Sequence, residues 1–259
     1  AGVMPGILLT LLYMATIWFM TRRNPSLGPP GPGPRPPVKE VLASLKGGLI
    51  EVIIIFVISI GGLFAGIFTP TEAGGVGAAG VLLVTALSKS MNWKRFNNAL
   101  SDTTRTSAMI LFLVAGAMIF SRFMAVSRIP FELASWVGSL PLPPFLILIV
   151  ILILYIFFGM FIEMIPLILL TVPIFYPVVV EVLGYDPIWF GVVIVPVVAM
   201  GVITPPVGIN VYVIKGVAKE VPLEVIFRGI WPFLFASIIC SLLLMIFPQI
   251  ATFLPNMLM

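Results

Sequence analysis

GVITPPVGIN, residues Gly201 to Asn210, interrupts an apolar segment that begins near Ile188 and otherwise reads as a membrane helix. Pro205 and Pro206 have no backbone N–H, so the carbonyls of Gly201 and Val202, four residues earlier, lose their helical donors. Gly208 lets the chain turn without a side-chain clash. The stretch predicts an unwound segment with bare carbonyl oxygens, flanked by the Thr204 hydroxyl and the Asn210 amide. In hydrocarbon an unsatisfied backbone group is costly, so such a break persists where it lines a cavity or binds something. A plain kink, its carbonyls satisfied by neighbouring helices, is the competing reading. The end of a half-helix carries partial negative charge. Carbonyls and a hydroxyl beside it make a hard-oxygen site suited to a small cation such as Na⁺, as in the discontinuous helices of secondary transporters.

The surrounding chain sets the context. Of 259 residues, 60% are hydrophobic and only 9% charged, with a mean hydropathy of +1.20. A soluble domain carries about 25% charged residues. The fold class expected is an all-α, polytopic membrane protein, because the apolar runs are long and lack the alternation of an outer-membrane barrel. The net charge of +4 reads as loop bias, with no basic stripe for nucleic acid. Cys240 stands alone in an apolar run and there is no histidine. Disulfide, metal-cluster and intramembrane-enzyme readings therefore have no residues to stand on. The N-terminal apolar stretch has its arginines after it, unlike a signal peptide, and no initiator Met precedes it. The chain reads as the interior of a longer protein.

Along the chain, residues 1–21 predict a membrane span and 22–47 a Pro/Gly-rich basic linker. Residues 48–128 predict scaffold-type spans (about Leu49–Phe68, Val76–Leu87 and Ala108–Val126), with a polar loop between the last two. Residues 129–143 predict a surface helix and loop. A transport-type unit over 144–229 divides into a re-entrant hairpin, 144–183, and a broken helix, 188–219. Residues 230–259 hold the last span. The hairpin reading follows from length. Phe145 to Phe158 rises only about 21 Å at 1.5 Å per residue, against a bilayer core of about 30 Å. Basic clusters at Arg22–Lys46, Lys89–Arg105 and Lys215–Arg228 all fall on the cytoplasmic side only if the hairpin does not cross.

The hairpin tip, GMFIEMIP, runs from Gly159 through Ile162, Glu163, Met164 and Ile165 to Pro166. Pro166 should free the carbonyl of Ile162, and Glu163 brings a carboxylate to membrane depth, where an ionisable group is a functional candidate. Two short tilted spans with Glu163 in water are the alternative. FTPTEAGG, residues 68–75, offers Thr69, Thr71 and Glu72 as a possible second break, or as a tight turn between spans.

GLFAGIFTPTEAGG, the GMFIE–PIFYPVV hairpin, GYDPIWFG and GVITPPVGINVYV, in this order, resemble the large membrane subunit of the tripartite ATP-independent periplasmic (TRAP) transporters, of the DctM type. The resemblance covers essentially the whole chain but only the second of the family's two inverted repeats. It implies an elevator-type, Na⁺-coupled importer of organic acids such as C4-dicarboxylates. Na⁺ would be its coupling ion, with no other metal and no cofactor. The bacterial or archaeal inner membrane is the implied location. The implied partners are a small DctQ-like membrane subunit, a periplasmic DctP-like binding protein, the missing N-terminal repeat and the lipid bilayer, with no nucleic acid. Residue by residue, it makes Gly159–Ile165 the tip of the second hairpin and Thr204, Pro205, Pro206, Val207 and Gly208 the Na⁺-binding break, with Asn210 close by. Glu163 stands where the family usually has Asp. Another elevator-type carrier of dicarboxylates, working without a binding protein, is the alternative that FTPTEA disfavours.

Overall fold

Prolines and capping residues set the ends of almost every element. The computed structural model describes residues 1–28 and 49–258, and most of the expected linker lies outside them. Among the described residues there are helices and turns but no strand. The chain divides into two units, Pro30–Ile110 and the combination of Ala1–Pro29 with Leu111–Met259.

In the first of these units, α2 (Leu49–Phe64) and α3 (Pro70–Leu87) form an antiparallel pair. Small residues let them approach. The Ser59 hydroxyl donates to the Ala73 carbonyl at 2.5 Å, and a Cβ on Gly80 would lie 3.0 Å from Ile55. Such close backbone packing stabilises helix pairs where lipid removes the hydrophobic driving force between them. Helix α4 runs from Trp93 to Ser127 and passes from this unit into the other. Here the structure departs from expectation, since residues 93–107 continue the span as helix where the sequence suggested a polar loop. Asn92 starts it by accepting from the Arg95 N–H at 2.8 Å, and the segment holds no proline or glycine to stop it.

The larger unit contains α1 (Val3–Arg23), α5 (Ile129–Gly138), α6 (Pro144–Gly159), α7 (Met164–Tyr176), α8 (Pro187–Ile203), α9 (Ile209–Val217), α10 (Leu223–Ile246) and α11 (Gln249–Leu258). Beyond Pro173 and Pro177, α7 loosens into a π-helical turn, Pro177–Val182, as expected where donors are missing from the ladder. Gly184, at φ +74°, reverses the chain. Asp186 then caps α8 by accepting from the Trp189 N–H at 2.8 Å. The last span begins at Leu223, seven residues earlier than expected. It ends at Ile246, because Pro248 biases the residue before it away from helix, and Phe247 sits at φ −120°, ψ 75°.

The core of this unit is the pairing of α6 with α8, flanked by α7 and α10. Leu148, Tyr155, Trp189, Val193, Val197, Val198 and Leu244 are essentially inaccessible there. The Trp189 indole donates to the Leu244 carbonyl at 2.7 Å. On the far side of α10, Tyr13 of α1 shares a 2.8 Å hydrogen bond with Ser237. Elsewhere the surface is heavily apolar, with Phe112 at 82% and Val217 at 86% exposure, as expected of surface that meets lipid or further protein. Among the described residues five helices are long and apolar enough to cross a membrane: α1, α3, α4, α10, and α7 taken through Val182.

Candidate functional site

Residues 204–208 are a true interruption. Thr204 is extended at φ −86°, ψ 139°, the conformation that the proline after it imposes. Its N–H donates to the Gly201 carbonyl at 3.0 Å, and its hydroxyl turns back to the Met200 carbonyl at 2.5 Å. The carbonyl of Gly201, expected bare, is thus recaptured by a tighter turn. Those of Val202 and Ile203 are not: among the described residues neither receives a hydrogen bond from backbone or side chain. Pro206 is the missing donor for the first. For the second, the Val207 N–H makes no bond to it.

Gly208 then sits at φ +60°, ψ 63°, where a side chain would be strained. It is buried, and an added Cβ would meet Phe227 of α10 at 3.0 Å. Helix α9 restarts at Ile209. At its far end Lys215 closes the following loop, donating to the carbonyls of Lys219 and Val221 at 2.7 and 2.8 Å. Asn210 is exposed in the first turn of α9, and its amide has no hydrogen-bond partner among the described residues.

The tip between α6 and α7 is equally local. The N–H groups of Phe161 and Ile162 donate to the Phe158 carbonyl at 3.0 and 2.9 Å. Glu163, at φ −63°, ψ 151°, takes the N-cap position of α7, but its carboxylate makes no capping bond and is exposed. Met164 and Ile165 open α7, so their N–H groups have no intrahelical acceptor. Pro166 follows in the same first turn, where its missing N–H costs little. Ile162 precedes the helix, so its carbonyl is free by position and does not depend on Pro166. Ile162, Met164 and Ile203 all pack against the common core.

One contact joins tip and break, and the sequence reasoning missed it. An added Cβ on Gly201 would lie 2.7 Å from the Gly159 Cα and 2.8 Å from the Ile156 carbonyl oxygen. In the other direction, a Cβ on Gly159 would lie 3.1 Å from the Gly201 Cα and 3.2 Å from the Val198 carbonyl oxygen. Helices α6 and α8 therefore run parallel, and their C-terminal ends meet backbone to backbone. A glycine in the last turn of each of two apolar helices was the available signal. Two helix C-termini concentrate partial negative charge at this contact, while the first turns of α7 and α9 present partial positive charge.

Thr69, Thr71 and Glu72 lie in the other unit and form a helix start. The Thr69 N–H and hydroxyl donate to the Glu72 carboxylate at 2.8 and 2.9 Å, and the Glu72 N–H donates to the Thr69 hydroxyl at 3.3 Å. This is a complete capping box. Among the described residues no cluster of acidic, histidine or cysteine side chains could hold a metal.

The chain can now be set beside known proteins. The family described as the DctM component of the tripartite ATP-independent periplasmic transporter matches residues 1–250. The C4-dicarboxylate TRAP transporter large permease protein DctM of Pseudomonas aeruginosa is 34% identical over 99% of this chain and 58% of its own length. The sialic acid TRAP transporter large permease protein SiaM of Vibrio cholerae is 32% identical, over 99% of this chain and 59% of that protein. The 2,3-diketo-L-gulonate TRAP transporter large permease protein YiaN of Escherichia coli is 33% identical over 90% and 53%. The chain thus spans little more than half the length of these relatives. With its proline break, its glycine-paired helix ends and its long apolar helices, this multi-pass membrane chain belongs to the DctM family of TRAP transporter components.

Proposed function

We propose that this chain is the part of a large permease that binds the coupling cation and forms one wall of the organic-acid site in a Na⁺-coupled uptake system of the inner membrane. The observation that carries the reading is the pair of open carbonyls, Val202 and Ile203, at the end of a helix held against a second helix end by Gly159 and Gly201. Na⁺ takes oxygen ligands, and these carbonyls, with the oxygen of the Thr204 hydroxyl, supply three on one short segment. Val207, Gly208 and Asn210 complete the turn around it. Proton coupling would call for a chain of carboxylates or histidines instead, and this chain has no histidine.

The substrate is an organic acid anion, as the substrates for which the relatives are named suggest. Its carboxylate is matched by the free N–H groups at the first turns of α7 and α9, in the way half-helix N-termini receive anions in other carriers. In this reading α6 and α7 form a re-entrant hairpin with Glu163 at its tip, and α8–α9 a broken helix. The unit moves as an elevator against a scaffold that includes α2 and α3. The first inverted repeat, a DctQ-like small subunit and a DctP-like binding protein complete the system.

The test is uptake of radiolabelled C4-dicarboxylate, and separately sialic acid, by the complete permease with its partners in proteoliposomes. Accumulation should require an inward sodium gradient and saturate with sodium. Equal accumulation with sodium replaced by choline under a proton gradient would overturn the assignment.

A further inference from the structure

A groove of about 570 Å³ runs between α4 and α7, walled by Val114, Ala117 and Met118 on one side and Ile168, Leu169 and Val172 on the other. A narrower recess shares Ala117 and Leu169 with it and carries it on to Phe112 and Pro166, beside the tip between α6 and α7. Among the described residues the polar side chains on this path are Ser121 and Arg122, both at the end nearer Ser127. Among the described residues neither has a hydrogen-bond or ion-pair partner, and Arg122 is exposed.

Three features define what fits. From Arg122 to Phe112 is ten residues, a rise of about 15 Å along α4, which is half of a bilayer core of about 30 Å. The groove therefore has the depth of one leaflet. Its wall is apolar except at the end nearer Ser127, so a small dicarboxylate would find polar partners for one end only and leave the other desolvated. A guanidinium matches a phosphate with two parallel hydrogen bonds, and its aliphatic stem can lie on apolar surface while the head reaches the interface. We propose that the groove holds an anionic phospholipid of the leaflet nearer Ser127. Its phosphate sits on Arg122 and Ser121, and one acyl chain lies along Met118, Ala117 and Leu169 toward Pro166. The lipid tail then ends beside the first turn of α7 and braces the return arm of the tip. This inference rests on the chain's position in a membrane and not on the cation site.

The experiment is native mass spectrometry of the complete permease complex, extracted in mild detergent and supplied with phosphatidylglycerol or phosphatidylethanolamine. Wild-type protein should retain one phosphatidylglycerol in preference to phosphatidylethanolamine. Arg122→Gln should lower that retention about tenfold, the factor that about 1.4 kcal/mol of lost binding corresponds to. Arg128→Gln should leave it unchanged, because Arg128 lies over the Phe131 ring at 4.9 Å and does not line the groove. Equal retention by wild type and Arg122→Gln, or no preference between the two lipids, overturns the proposal. A photo-crosslinking residue in place of Met118, with Arg122 intact, gives a second reading. An adduct of phospholipid mass supports the site, and a crosslink to another protein segment or a second copy overturns it.

Discussion

Thr-Pro occurs next to a helix end at both breaks, as Thr69–Pro70 and as Thr204–Pro205, and the two do opposite things. Both threonines are extended, at ψ 161° and ψ 139°, because a proline follows each. Thr69 opens a helix. Its partner three residues on is Glu72, which completes a capping box, so the polar groups of Thr69 and Glu72 satisfy each other. Thr204 closes a helix. Three residues on is Val207, a second proline intervenes, and the carbonyls of Val202 and Ile203 are left open against a buried glycine contact. The lesson is that a polar break in a membrane protein is a candidate site according to what remains unsatisfied, and the count of polar residues misleads. FTPTEA has more polar side chains than ITPPVG and fewer open groups.

The comparison can be broken most forcefully at the glycines. Gly201→Val would drive a side chain into the Gly159 backbone, where nothing flexible can yield. Uptake should fall about a hundredfold, the scale of a displacement of about 1 Å at a site, with the purified protein still measurable by its melting temperature. Near-normal uptake would detach the α6–α8 contact from function.

Next in size is a paired test at the two threonines. Thr204→Ala should raise the sodium concentration for half-maximal uptake about tenfold, equivalent to about 1.4 kcal/mol, with little change in melting temperature. Thr69→Ala should do the reverse, costing about 1 kcal/mol of stability as a lost cap while leaving the sodium midpoint alone. If both substitutions move the same readout, the distinction between site and cap fails.

Glycines with positive φ sharpen the same contrast at smaller scale. Gly66→Ala, at φ +72° with open space around it, should cost about 1 kcal/mol in stability from the left-handed backbone alone. Gly208→Ala should cost about 1 kcal/mol more than that, since the new methyl group also meets Phe227 at 3.0 Å. Equal melting temperatures for the two variants would mean that the packing of α10 on the break is slack. Smallest of all is Gly74→Ala in α3, where an added Cβ meets nothing within 4 Å. It should leave uptake unchanged and raise stability by up to about 1 kcal/mol through helix propensity.

Composition and proline placement were enough to read the helical class, the order of the apolar segments and the position of both breaks. Each of these is local: a missing N–H, a pre-proline residue or a run of apolar side chains acts on its own neighbours within a turn. The extent of α4 through residues 93–107 is not legible for a related reason: its polar composition suggests a loop, whereas nothing in the backbone stops a helix. Which carbonyls stay open was only half legible. Pro205 and Pro206 announced two lost donors, but the turn at Thr204 returned one of them to Gly201 and the absent bond from the Val207 N–H leaves another open at Ile203. What only the tertiary structure decided is the meeting of Gly159 with Gly201, residues 42 positions apart in sequence. A glycine in the last turn of each helix permits that approach, but nothing within either helix names its partner. It depends on α6 and α8 lying parallel, which the packing of side chains such as Leu148, Tyr155, Val193 and Val197 fixes jointly.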